Sequence, residues 1–515
     1  MDIINEGKFK KLCRVADVST ESQADYTLPD YLGDVRKVLF TTCEAKQAGK
    51  FSDENGDEFS GIVAYEVVYL DSENKLSSAG FTSDYDLRHK SADQGKIAAF
   101  ATPSATSYNV RLTGPRRFSA RATVSASVKC IAEDEISVSG STFAGETEPQ
   151  TLEGVLKIRN ISESEPIERE FAERVERLDG VIEDETRVIY CGAEVLLDDA
   201  RAEDDRVSIK GEIILYALLS IDEAPLYLAS KTVEFDEAVP FVGVSADMHL
   251  IPRAEVRSVT ASVNADEAGC EVVVSSIVEL SCVAEYNTPV LAKEDVYLTC
   301  AEVNNTYRDY KYNTLGGVVK VSEGCTAELR AEELSAEKIR DIPYLKATVK
   351  VENVSREAGE AVISGELRCV GVASVIDENG EISYTGLRFA LPIEQRVTLD
   401  GASESEELSA TLEAHAVSAL LDTSTVKINY KLTGVLTSAA SLSKKLLTSS
   451  ETAEPIEAER GRITVYYPTD TDTLFSVAKK YKTKVAKLSH DNDIAAQASA
   501  GDVESLGGVS RLIIF

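Results

Sequence analysis

Histidine is scarce in this chain: four residues in 515, at positions 89, 249, 415 and 490. That leaves little material for imidazole-based metal or acid–base chemistry. Basic residues are few against the acids, 54 Lys and Arg facing 87 Asp and Glu, for a formal net charge of −33. Nucleic acid and anionic membrane surfaces are therefore poor partners, since phosphate binding needs clustered Lys and Arg. A basic partner surface, held by a salt-sensitive interaction, or solubility alone fits better. No stretch reaches 18 apolar residues, so no transmembrane helix is expected. The opening MDIINEGKFKKLCRV has no apolar core of a secretory signal, so none is expected there. The nine cysteines contain no C-x-x-C pair. Cys130, Cys282 and Cys369 sit at alternating strand positions, where a thiol is a small apolar filler, and a reducing cytosol is the natural setting. No G-x-x-x-x-G-K-[ST], H-E-x-x-H or G-x-S-x-G occurs. No catalytic, cofactor or metal residue set is expected, and the chain reads as a non-enzyme.

What the chain has in quantity is alternation. Val207–Phe235 reads VSIKGEIILYALLS, breaks at IDEAP, and resumes as LYLASKTVEF. The period of two predicts strands with one buried face, folded back as a hairpin. The same cassette occurs around Gly61 and Gly365. With Gly61, Gly211 and Gly365 aligned, Asp71, Asp222 and Asp377 follow 10, 11 and 12 residues later, and Tyr85, Phe235 and Phe389 each follow 24 later. Aligned features about 150 residues apart predict a repeated unit. A hydrophobic content of 43% with 27% charge is globular, and the length suits roughly three to five domains.

The expected organisation is a lead-in segment at 1–33, repeats at 34–132, 183–287 and 341–442, and connectors at 133–182 and 288–340. A linker at 443–460 and a small module at 461–515 follow. The fold class is mainly β: three antiparallel β-sandwich-like repeats with helical connectors. Within the first connector, Ser164-Glu165-Pro166 resembles a helix start, and Ile167, Phe171, Val175 and Leu178 follow at helical spacing. AEELSAEKIR at 331–340 is a second, short helix candidate. Asn379-Gly380 is a strong hairpin-turn signal. In RATVSASVKCIA, Ala122, Val124, Ala126, Val128 and Cys130 share one face, and the polar, nearly uncharged opposite face suits a second sheet or a partner.

Several polar groups read as unremarkable. Asp53–Glu58 lacks the spacing of a calcium loop and reads as a solvated turn. Glu183-Asp184-Glu185, Asp198-Asp199 and Asp204-Asp205 read as solvated edges. His490 beside Asp491 is not expected to form a catalytic pair, because sequence neighbours seldom face each other.

Residues 463–515 read as strand (Ile463–Tyr467), helix, helix, strand (Arg511–Phe515). Thr471 or Thr473 can cap the first helix, with Asp472 favoured at its positive end. Val465, Asp472, Thr473, Leu474, Val477, Ala478, Tyr481, Val485, Leu488, Asn492, Leu512 and Ile514 match the pattern of LysM domains, which this segment resembles. Thr471 stands where that family has glycine, and Phe515 where it has proline. The resemblance implies a βααβ fold and a shallow groove for N-acetylglucosamine polymers. Its loops here are Thr469, Asp470, Thr471, Asp472, Thr473 and Leu474, with Asn492, Asp493 and Ile494 opposite. Three repeats followed by such a module, with Leu28-Pro29-Asp30-Tyr31 and Asp34–Leu39 like the family's P-D-x-x-x-D-I-x-x-I-L opening, resemble the SipL-type spore-assembly proteins and their SPOCS repeats. That resemblance implies a non-catalytic adaptor in endospore coat assembly, in the mother-cell cytoplasm at the forespore surface. It would dock a coat-basement ATPase or other coat protein through the LysM-like module. The alternative is a peptidoglycan-binding protein or the targeting subunit of a cell-wall hydrolase.

Overall fold

The computed structural model describes residues 8–53, 56–90, 95–137, 148–181, 186–221, 225–266, 269–334, 339–376, 380–399, 406–422, 424–456, 463–494, 506 and 509–515. Long strands dominate it. The first group is β1 (Lys8–Thr27), β2 (Val35–Asp53), β3 (Gly56–Asp71), β4 (Leu76–His89), β5 (Lys96–Phe100), β6 (Ser104–Gly114) and β7 (Arg117–Glu135). Next come β8 (Gln150–Glu163), β9 (Ile167–Asp179), β10 (Thr186–Glu203), β11 (Arg206–Ile221), β12 (Tyr227–Pro240), β13 (His249–Asp266) and β14 (Gly269–Tyr297). The last large group is β15 (Ala301–Arg330), β16 (Ile339–Glu357), β17 (Glu360–Ile376), β18 (Ile382–Thr398), β19 (Glu407–Asp422) and β20 (Thr425–Pro455). The C-terminal segment holds β21 (Thr464–Tyr466), α1 (Leu474–Lys480), α2 (Val485–Asp491) and β22 (Leu512–Ile514).

Three of the sheets are three-stranded antiparallel meanders: β2-β3-β4, β10-β11-β12 and β16-β17-β18. Each shares a core with a second sheet. Phe59, Val63 and Tyr65 of β3 pack with Phe118, Val124 and Val128 of β7. Ile209, Ile213 and Leu215 of β11 pack with Val272, Val278 and Leu280 of β14. Ile363 and Leu367 of β17 pack with Ile428, Leu432 and Leu436 of β20. No helix among the described residues is long and apolar enough to cross a membrane.

Gly61, Gly211 and Gly365 occupy the centres of β3, β11 and β17. A Cβ there would lie 2.1, 2.3 and 2.1 Å from the carbonyl oxygens of Lys46, Leu196 and Lys350. In each meander the first strand carries a bulge beside that glycine, at Gln47/Gly49, Leu197/Asp199 and Val351/Asn353. Tyr85 and Phe235 pair with Gly61 and Gly211. In the third meander Ile393 takes that place and Phe389 pairs with Cys369, so the spacing of 24 residues does not mark the same register there. Asp71 accepts the Glu73 and Lys75 N–H groups in its turn. Asp222, Asp377 and Asn379 lie outside the described residues.

The meanders meet each other through their outer faces. Phe40, Tyr190 and Tyr344 each lie 21 residues before the central glycine. They pair with Val68, Leu218 and Val372 respectively. Their ring centroids are 5.9, 5.2 and 5.3 Å apart, so the three rings form a triangle. Leu39, Leu70, Ile189, Tyr216 and Leu226 surround it in one buried cluster. This explains why VVYL, YALL and VGVA are continuously apolar: each middle strand is covered on both faces there.

Four expectations about local structure are corrected. Ile167–Asp179 is a strand, β9, paired with β14, not a helix. Ile167, Phe171 and Val175 are spaced by four, an even number that serves a strand face as well as a helix face. Val175 is the extra residue of a bulge, because Val272 pairs with Glu176 and Val273 with Arg174. The bulge flips the parity and turns Leu178 toward the same core. Ser164 Oγ accepts the Cys282 N–H at 2.8 Å and caps no helix. Of the short helix expected at 331–340, Ala331–Leu334 is a single 3₁₀ turn, residues 335–338 lie outside the described residues, and Ile339 opens β16. Residues 443–455, expected as a linker, continue β20 to Pro455. The segment 133–182 supplies β8 and β9, both hydrogen-bonded to β14.

Replacing Gly365 by alanine should lower the urea midpoint, by about 1–3 kcal/mol of overpacking. Gly324→Ala, with nothing within 4 Å of the new Cβ, should stay within about 0.5 kcal/mol. Tyrosine fluorescence follows both, since the chain has no tryptophan.

Candidate functional site

Among the described residues, the C-terminal module and a buried cluster in the first pair of sheets stand out for polar chemistry or exposed apolar surface. The expected groove lies in the first of these. Thr473 caps α1: its Oγ1 accepts the Ser476 N–H, and Ser476 Oγ accepts the Thr473 N–H in return. Leu474, Phe475, Val477 and Ala478 bury the inner face of α1 against Leu488, Leu512 and Ile514. Most of the polar groove residues serve the module itself. Asp472 Oδ2 accepts from Thr469 N–H at 2.8 Å, Tyr466 O–H at 2.9 Å and Thr469 Oγ1 at 2.9 Å. These donors, the Thr469 amide first, hold its carboxyl below the usual range. Asn492 donates to Leu488 O and Ile513 O and accepts the Ile513 N–H, tying α2 to β22. Ile494 packs against the module core and Leu474 is buried within it. Thr469, Asp470, Thr471 and Asp493 stay exposed. The Leu506 N–H donates to Asp472 O at 2.9 Å, which sets the first loop against the chain that follows α2.

The module is seated on the second pair of sheets. Tyr297, at the end of β14, inserts its ring into the module core, edge-on to Phe475 at 5.2 Å, and donates to Thr483 O at 2.7 Å. Lys479 pairs with Asp295 and Lys482 with Glu302. The outer face of the module's two-stranded sheet is mainly apolar and exposed. Val465 pairs with Ile513 across β21 and β22. Continuing that register puts Ile463, Val465 and Tyr467 on one face with Ile513 and Phe515, and with exposed Arg511 opposite Tyr467. Ile463, Val465, Tyr467 and Phe515 are 65%, 50%, 70% and 60% exposed, a mainly apolar face with Arg511 at its edge. The match to a domain pattern drew attention to the loops and away from this face. Strand parity alone, with Thr464, Tyr466, Leu512 and Ile514 turned inward, would have found it.

The second place is a buried polar cluster between the first two sheets. Asp57 faces His89 Nδ1 through Oδ2 at 3.1 Å, and Lys96 and Ser52 donate to its Oδ1 at 2.8 and 2.5 Å. The Cys130 Sγ is 3.8 Å from both Asp57 Oδ2 and His89 Nδ1. The expectation of a solvated turn at Asp53–Glu58 fails at Asp57, whose side chain is fully buried. Parity carried the signal: Asp57 is in phase with inward Phe59 and Val63, His89 with Tyr85 and Leu87, and Cys130 with Val128. The arrangement does not suit a nucleophilic triad, because Asp57 and Cys130 approach the same imidazole nitrogen, whereas a relay uses both.

The other polar groups are separate from these places. His490 Nδ1 and Asp491 Oδ1 are 3.6 Å apart with the imidazole in solvent, beyond hydrogen-bond reach. Asp199 pairs with Arg201 at 2.7 Å, and Asp198 with Lys431 at 3.4 Å. Glu183, Asp184 and Glu185 lie outside the described residues. Comparison with family models, with curated proteins and with solved structures gives no match to this chain.

Carboxyl NMR titration should place the Asp472 pKa below its ordinary value of 3.8. Tyr466→Phe, which removes one donor, should raise it. Because the folded value is depressed, the Asp472 contribution to module stability is complete above the ordinary carboxyl pKa. It is lost as pH falls through the folded value.

Proposed function

We infer that this chain is a non-catalytic adaptor of endospore coat assembly, made of three copies of one β-sandwich unit. A LysM-like module at 461–515 docks a coat-basement ATPase or other coat protein. The protein acts in the mother-cell cytoplasm, at the forespore surface. Support for three copies comes from the shared register: a central glycine, a bulge beside it, and an aromatic 21 residues earlier. Support for the module's kinship comes from its strand–helix–helix–strand order and from Asp472, Thr473, Leu474 and Asn492 at the pattern positions.

The observation that carries the docking role is the division of labour within the module. Asp472 and Asn492 are spent on internal hydrogen bonds, and the absent glycine at Thr471 removes the backbone freedom that close sugar approach uses. The outer face of β21 and β22 is mainly apolar, with Arg511 at its edge, and the module that carries it is seated on Tyr297. Such a face suits a protein partner, whose interface core is apolar and ringed by polar groups.

The test uses the full chain. Val465→Asp with Tyr467→Asp should weaken binding of the coat-basement ATPase by at least about tenfold, as loss of a central apolar anchor does. Circular dichroism should be unchanged. Unaltered affinity would overturn the docking face. Micromolar binding of chito-oligosaccharides, lost on Asp470 and Thr471 substitution, would favour the peptidoglycan-binding reading.

A further inference from the structure

The Asp57–His89–Cys130 cluster is costly in the terms of its own fold. Asp57 pairs with His89 across β3 and β4, four residues before the central glycine. At the same register the second meander pairs Val207 with Val239, and the third pairs Ala361 with Val397. All four of those residues are buried and apolar. A well-packed apolar pair is thus a workable solution at this place. The first meander instead buries a carboxylate, an imidazole and, from β5, an ammonium group. Buried ionic groups of this kind seldom add stability over apolar packing.

The geometry gives them another use. Asp57 Oδ2, His89 Nδ1 and Cys130 Sγ are separated by 3.1, 3.8 and 3.8 Å. Zinc bonds of about 2.0–2.3 Å at tetrahedral angles separate such donors by roughly 3.3–3.7 Å. The three atoms therefore outline one face of a zinc coordination tetrahedron. Lys96 and Ser52 both bind the other carboxylate oxygen, Oδ1, which turns Oδ2 toward the imidazole and the thiol. That is how outer partners orient a ligating carboxylate.

We propose that Asp57, His89 and Cys130 form a structural site for a thiolate-preferring divalent ion, zinc foremost, which ties β3 and β4 to β7. On binding, the Cys130 S–H bond breaks, the sulfur keeps the electron pair and bonds the ion, and the proton leaves to solvent. His89 presents the Nδ1 lone pair and carries its proton on Nε2. Asp57, the thiolate and Lys96 together hold one negative charge. A divalent ion therefore leaves one positive charge, met by a hydroxide or another anion at the fourth corner.

Cobalt(II) added to the full-length, chelator-treated protein tests this. One equivalent should develop a thiolate-to-cobalt band in the near ultraviolet and the visible bands of a four-coordinate ion. Cys130→Val should abolish the ultraviolet band, and Cys300→Ser, at an exposed thiol, should leave it. X-ray absorption on the zinc-loaded native chain needs no variant. It should show one sulfur near 2.3 Å among nitrogen and oxygen ligands. No band in the native protein, a band that survives in folded Cys130→Val, or an all-oxygen zinc shell would each overturn the site.

Discussion

Everything large in this molecule turns on a contact between three rings. Phe40, Tyr190 and Tyr344 come from three meanders and meet within 6 Å of one another. Aromatic pairs of this geometry contribute about 0.5–1.5 kcal/mol each beyond the area they bury. Their larger effect is on shape. A three-stranded meander that faces water on one side needs only one apolar face, but β3, β11 and β17 must satisfy a core on one side and the ring cluster on the other. The bulges at Val38/Phe40 and Val188/Tyr190, and the irregularity at Asp341/Tyr344, immediately precede the three aromatics and aim them inward.

A second set of contacts locks the same arrangement from the side. Leu12 and Ile131 pack with Ile161 and Val283, joining the β1–β7 sheet to the β8–β14 sheet. Beside them Glu285 is almost fully buried and is held by Lys129 and by Arg159 at 2.6 Å. This is where the polar face of RATVSASVKCIA ends, against another sheet. Burying that carboxylate costs several kcal/mol unless both cations stay in place. The triad is therefore a weak source of net stability, and loss of either cation would leave the buried carboxylate under-compensated.

The central strands were legible in the sequence because their alternation is long and uninterrupted and a glycine marks the middle of each. The C-terminal segment was legible because its caps and apolar stripe are local. What could not be read was continuation. β14, β15 and β20 span 29, 30 and 31 residues, several times the usual strand length, and β14 serves β13, β9 and β8 along its course. A polar stretch such as 443–455 resembles a linker locally, and only its partner β15 makes it a strand. β9 failed for a related reason: spacing by four does not separate helix from strand, and the bulge at Val175 imitates the final step of a helical stripe. The Asp57 cluster was hidden differently, since its members lie 32 and 41 residues apart and meet only through sheet packing.

The seat of the C-terminal module has a consequence for how the chain can be dissected. Tyr297 is 1% exposed and belongs to two bodies at once, as the last residue of β14 and as part of the module's interior. Cutting the chain after Pro455 would strip its ring of cover and take Lys479 from Asp295, which keeps Tyr307 and Asn305, and Lys482 from Glu302. A truncated protein would thus carry a raw apolar scar at the end of β14, and its behaviour would mix the loss of an appendage with damage to what remains.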